Sequence, residues 1–218
     1  MVEHLKQINM SDKQKTRYSA SFTAGSLLHK ETTVLLPLIQ SDQREENIRQ
    51  EIKNNQYLKI NSESARKRTV AEIIKRVQNT DHVFWTRYEE STIEEQKMML
   101  FYLCLKTYTL MFDFHFNVTL KQWNSSSRNV DPYFYQMEIE EIASHDEIVY
   151  NWTDITKQKT ISVYMRILRD IKLINRQNEL QQVNMNDNFW HYFVNSRGLW
   201  FLDAALLNTQ DKERIMRL

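Results

Sequence analysis

Six histidines, at positions 4, 29, 82, 115, 145 and 191, are the first residues to test for chemistry, and their spacing offers none. No pair stands at i, i+4 with a glutamate between, so the helical zinc-hydrolase pattern is absent. Cys104 sits in the apolar run Met98–Leu105, where a thiol reads as a small core residue rather than a nucleophile. His115, between Phe114 and Phe116, reads as a satisfied core histidine. Glu138, Glu140 and Glu141 gather carboxylates, but no His or Asp stands near them at metal-site spacing, so they read as a solvated face. Asn186-Asp187-Asn188 lacks the glycine and distal glutamate of a calcium loop. The expectation is a protein that is not an enzyme, with no catalytic site, no metal and no cofactor.

Cations with helical spacing are the remaining chemistry. At about 100° per residue, Val70, Ile73, Ile74 and Val77 share one arc of a helix, Arg68 and Lys75 fall opposite, and Lys67 and Arg76 lie on the flanks. In a second helix Ile161, Tyr164, Ile167, Leu168 and Ile171 form the apolar arc. Lys159, Arg166 and Arg169 point the other way, with Lys172 beyond them and Arg176 joining if the helix persists. Such stripes suit a phosphate backbone, because each neutralised phosphate releases a counterion. The plain alternative for each is a solvated amphipathic face. The second stripe is the stronger case. Residues 157–176 hold six basic residues against Asp170 alone, whereas residues 129–156 hold seven acids and no Lys or Arg.

The elements that must carry these residues follow from composition. Of 218 residues, 41% are apolar and 26% charged, which excludes disorder. Only two glycines and two prolines are present, too few for sandwiches, barrels or glycine-cradled nucleotide sites. A mainly α fold remains. A single cysteine excludes a disulfide framework and fits a reducing, cytoplasmic location. The net charge of +1 leaves polyanion binding to local patches. Met1–Thr16 shows no apolar signal segment, and Lys106, Asp113 and His115 interrupt Met98–Phe116, so that run predicts a core helix and no membrane insertion.

Along the chain, residues 1–17 read as a flexible basic tail, 18–120 as an N-terminal helical subdomain, 121–131 as a Ser/Asn-rich linker, and 132–218 as a C-terminal helical subdomain. Ser21 or Thr23 is placed to cap a helix through Leu27 and Leu28, Ser62 or Ser64 the first basic helix, and Ser91 or Thr92 a long helix to about Phe116. Asn79–Glu90 reads as a loop or short turn. The second basic helix runs over about 159–171, and the apolar pieces flanking Asn175–Asn178 predict a short β-hairpin, a wing, near 173–183. An aromatic-rich helical region covers about 189–207.

The segment Tyr18-Ser-Ala-Ser-Phe-Thr-Ala-Gly-Ser-Leu-Leu28 resembles the opening motif of the BrxA family, the small A proteins of bacterial BREX (bacteriophage exclusion) systems. Asn54–Leu58, then Ser64-Ala65-Arg66-Lys67-Arg68 with Glu72-Ile73-Ile74-Lys75-Arg76, then Thr160–Ile174 with Leu168-Arg169-Asp170, match that family in order. The resemblance spans about Tyr18 to Leu207. One departure is Lys172, where the family pattern has a glycine before the paired apolar residues. Lysine is a poor left-handed cap, which argues against a sharp turn into the wing.

The resemblance implies an all-helical, NusB-like fold and a DNA-binding role beside the other BREX proteins that mark host DNA and block phage replication. It also makes Gly25 a site of close helix packing, with Ser19, Ser21 and Thr23 as caps or phosphate contacts. The leading reading is therefore a component that binds double-stranded DNA through its basic helices, in an oligomeric state the residues do not define. The alternatives are a protein-interaction adaptor docking through the acidic face 131–154, and an RNA-binding protein by analogy of fold alone.

Overall fold

Side-chain caps begin most of the helices. The computed structural model describes residues 18–217; the stretch 1–17, read as a basic tail, lies outside the described residues. A 3-10 turn at Ser21–Ala24 leads into α1 (His29–Gln40), α2 (Arg44–Asn54) and α3 (Glu63–Val77). Next come α4 (His82–Glu90), α5 (Ile93–Thr107) and α6 (Thr109–Asp113), the last running through a π-helical segment, Phe114–Thr119, into α7 (Leu120–Trp123). The remainder is α8 (Pro132–Ala143), α9 (Glu147–Tyr150), α10 (Asp154–Asp170), α11 (Asp187–Asn195), α12 (Trp200–Ala204) and α13 (Thr209–Met216). The mainly α class expected from composition is the class observed.

Ser62 caps α3 by accepting from the Ala65 N–H, and Thr92 and Glu95 close a full capping box on α5. Three elements differ from expectation. Asn79–Glu90 holds a helix, because the Asp81 carboxylate accepts from the Phe84 N–H at 3.0 Å and Phe84, Trp85 and Tyr88 share one buried face. The run 98–116 is not one helix: Tyr108 is extended and interrupts it. Residues 21–24 form only a single turn, and Leu28 enters α1 in the left-handed region, with φ 58°. No described helix is long and apolar enough to cross a membrane.

Apolar side chains form two cores. The smaller joins Leu35 and Ile39 of α1, Ile48 of α2, and Val70 and Ile73 of α3 to Leu28 and Leu58. The larger gathers the opening segment, α4 to α13 and the apolar centre of α5, and it takes side chains from both sides of residues 121–131, among them Phe114, Tyr135 and Tyr164.

The expected wing is present in minimal form. Ile174 bridges Leu180 antiparallel, and Asn129 bridges Glu179, so a piece of the 121–131 segment adds a third strand-like edge. The sharp turn into it is made despite the lysine. Lys172 sits at φ 61°, its N–H donates to the Arg169 carbonyl at 3.0 Å, and the Leu173 N–H donates to the Leu168 carbonyl at 2.9 Å. That pair of bonds is a Schellman ending, in which burial of Ile171, Leu173 and Ile174 outweighs the cost of a left-handed lysine.

Candidate nucleic-acid interface

The opening turn Ser21–Ala24 packs against both basic helices, α3 and α10. Two basic helices that lie far apart in the chain therefore meet at one short segment. Phe22 is buried at the centre of that segment, and the Tyr18 hydroxyl donates to Asp113 Oδ2 at 2.7 Å. Ser21 Oγ donates to Glu72 Oε2 at 3.2 Å, and Thr23 Oγ1 donates to the Ala20 carbonyl at 2.8 Å. Ser19 Oγ accepts from the Ser21 N–H. The hydroxyls of the motif thus tie the turn together and onto α3. A Cβ at Gly25 would fall 2.3 Å from Leu28 Cδ2, so glycine there makes room for the first buried side chain of the smaller core.

On α3 the cations divide between inside and outside. Arg76, placed on a flank by helical spacing, is corrected to a buried residue with 1% exposure. Its Nη1 and Nη2 donate to the carbonyls of Leu27 and Ser26, each at 2.7 Å, and its Nε donates to the Tyr108 hydroxyl at 2.9 Å. The chain entering α1 covers that flank, so Arg76 is a clamp and not a phosphate contact. Arg66 is likewise buried and donates to the carbonyls of Ile52, Ile60 and Asn61, a role the spacing did not reveal. Lys67 is exposed and paired with Glu63 at 2.6 Å. Lys75 is exposed, 3.4 Å from Ser21 Oγ and over the Tyr108 ring. Arg68 is exposed and has no acidic partner among the described residues.

On α10, Ile161, Tyr164, Ile167 and Leu168 are buried while Lys159, Arg166 and Arg169 face out. Lys159 and Arg166 have no ion pair among the described residues. Arg169 Nη2 donates to Asn178 Oδ1 at 2.7 Å, which ties the stripe to the wing. Lys172 reaches Glu94 at 3.4 Å between two exposed side chains, and Arg176 is exposed in the turn of the wing. Arg128 is a cation that the sequence did not single out. Its carbonyl accepts from the Leu180 N–H at 2.8 Å, and its guanidinium lies 4.1 Å from the centre of the Trp123 ring, so it stands on the third edge of the wing. Pairing between residues 128 and 180 leaves no local signal that could have found it.

Of the residues first tested for chemistry, Cys104 and His115 lie in the core, whereas His82, His145, Glu140 and Glu141 are exposed. Cys104 is fully buried, and burial pushes its thiol pKa up. His115 is buried between the Tyr164 hydroxyl at 2.8 Å and the Ala204 carbonyl at 2.7 Å. Among the described residues, no three His, Cys, Asp or Glu side chains are grouped to hold a metal ion.

A mainly α protein whose opening turn packs on two basic helices is thus the class that fold and site define. The chain belongs to the BrxA family, whose model matches residues 16–196, as the opening motif led us to expect. One relative is a "BREX protein BrxA" of Bacillus cereus (strain H3081.97), 22% identical over 160 residues, covering 73% of this chain and 80% of the relative. Among solved structures, the crystal structure of an uncharacterized protein from Magnetospirillum magneticum shares the fold with a TM-score of 0.73 at 20% identity, over 87% of this chain and 98% of that one.

Proposed function

We propose that this BrxA-family chain is a non-catalytic component of a BREX phage-defence assembly that binds the backbone of duplex DNA in the cytoplasm. The observation that carries the reading is the shared packing of α3 and α10 on the opening turn. Arg68 and Lys75 of α3 and Lys159, Arg166 and Arg169 of α10 are all exposed. The relative named as a BREX protein supports the setting. Two cationic helices that meet at one turn suit a duplex, whose phosphates run on two strands. Residues 162–170 of α10 hold no Asn or Gln, and Asn178 of the wing accepts from Arg169, which favours contacts to phosphate over reading of adenine edges.

The test is a salt series on duplex DNA of unrelated sequences, with single strands and structured RNA as further arms. Arg166→Gln with Arg169→Gln is expected to weaken binding to all duplexes alike and to lower the slope of log K against log salt by about two. Unchanged affinity and slope would remove α10 from the interface. Tighter binding to structured RNA than to duplex DNA would favour the reading by fold analogy.

A further inference from the structure

A second set of exposed side chains lies on α8, α9 and the first turn of α10. Tyr133, Phe134 and Met137 of α8, Ile148 and Tyr150 of α9, and Ile155 at the start of α10 are all exposed, Tyr150 by 70% and Ile155 by 81%. Buried Tyr135, Ile139 and Ile142 define the inward arc of α8, so Tyr133 and Met137 stand on the opposite side, out to solvent. α8 packs on both α9 and α10, so the three sets lie on neighbouring elements. Scattered exposed apolar residues need no explanation; six large ones within two short helices and a helix start do.

On α8 and α9 the charge has one sign, while Lys159, one turn beyond Ile155, is exposed. Glu141, Glu147 and Asp154 are exposed and have no ion pair among the described residues. The nearest base in sequence, Lys157, is mostly buried and bound to Glu140 at 3.2 Å. Large apolar anchors rimmed by unpaired carboxylates complement a segment that carries apolar side chains on one face and Lys or Arg on the other. Burial of the anchors supplies affinity, and the carboxylate rim supplies orientation and rate.

We propose that the α8–α9 face docks a basic amphipathic helix of a separate partner protein. A second copy presenting its own basic stripe is a poorer fit. Such a pairing is head-to-tail and open-ended, and it would occupy the stripe that the DNA-binding reading requires. The docking face stands whether or not that reading does, since it uses other residues.

The experiment titrates the full-length protein into a labelled Leu/Lys amphipathic helical peptide. A scrambled peptide of the same composition and a Leu/Glu peptide serve as controls, and anisotropy is the readout. The Leu/Lys helix is expected to bind and the controls to fail. Tyr150→Ser with Ile155→Ser should weaken binding more than about tenfold. Glu141→Gln with Glu147→Gln, a separate pair in case the first does not fold, should weaken it and flatten its salt dependence. Equal binding by the scrambled or Leu/Glu peptide, or unchanged binding by both variants, would overturn the proposal. So would a wild-type dimer that Tyr150→Ser with Ile155→Ser converts to monomer, which would make the occupant a second copy. Tighter peptide binding after deletion of residues 1–17 would assign the face to the chain's own N-terminal segment instead.

Discussion

Arg76 Nε donates to the Tyr108 hydroxyl across 2.9 Å, and that hydroxyl donates onward to Glu72 Oε2 at 2.7 Å. Burial pushes the Tyr108 phenol far above its ordinary pKa, so it keeps its proton and can serve in both roles at once. Helix α5 ends at Thr107, and the extended Tyr108 that follows brings its ring against Arg76 of α3. One arginine thereby holds together α3, the start of α6 and the carbonyls of the opening motif.

Arg76→Met is expected to cost about 2–5 kcal/mol, because it leaves the buried carbonyls of Ser26 and Leu27 without donors. Arg68→Gln, on the exposed side of the same helix, should change stability by less than about 0.5 kcal/mol. Urea unfolding of both variants is the measurement. Equal stability of the two would refute the clamp.

His115 predicts an acid-sensitive core. The Ala204 carbonyl accepts only, so His115 Nε2 carries the proton and Nδ1 accepts from the Tyr164 hydroxyl. That hydroxyl in turn accepts from Thr119 Oγ1 at 2.8 Å, and Thr119 accepts from the Tyr135 hydroxyl at 2.9 Å. Burial lowers the pKa of the imidazole to about 4, from an ordinary value of 6.5. The unfolded chain takes up a proton near pH 6.5 that the folded chain refuses until about pH 4. This stabilisation is therefore complete above pH 6.5 and is lost as the pH falls through that window, at about 1.4 kcal/mol per pH unit. His115→Phe should remove that part of the slope in urea midpoints measured between pH 4 and pH 7, and should lower stability at pH 7 by about 2–4 kcal/mol through the two abandoned partners. An unchanged slope would show that other groups set the acid limit.

Lys172→Gly is expected to stabilise the protein by about 1 kcal/mol. The position is left-handed, where a Cβ is costly, and the Glu94 ion pair given up is exposed on both sides and worth little. A raised thermal midpoint would agree. A lowered one would mean that lysine makes a contribution at the wing beyond filling the turn.

Helical class was legible in the residues alone, because two glycines cannot supply the turns of a β fold. The caps of α3 and α5, read as Ser62 or Ser64 and as Ser91 or Thr92, and the apolar arcs of α3 and α10 were legible for the same local reason, since they depend on residues three or four apart. The opening motif was enough to indicate the family. Tertiary structure alone decided which cations face water. Helical spacing gives a side chain's angle around its axis, but whether a flank is covered depends on remote chain, and the carbonyls that bury Arg76 lie 49 and 50 residues away. The same holds for the helix at His82–Glu90, whose aromatic face is defined by what it packs on. It holds again for the third edge of the wing, where residue 129 meets residue 179. Angle is local and cover is global, so the sequence could draw both basic stripes but could not tell that Arg76 turns inward.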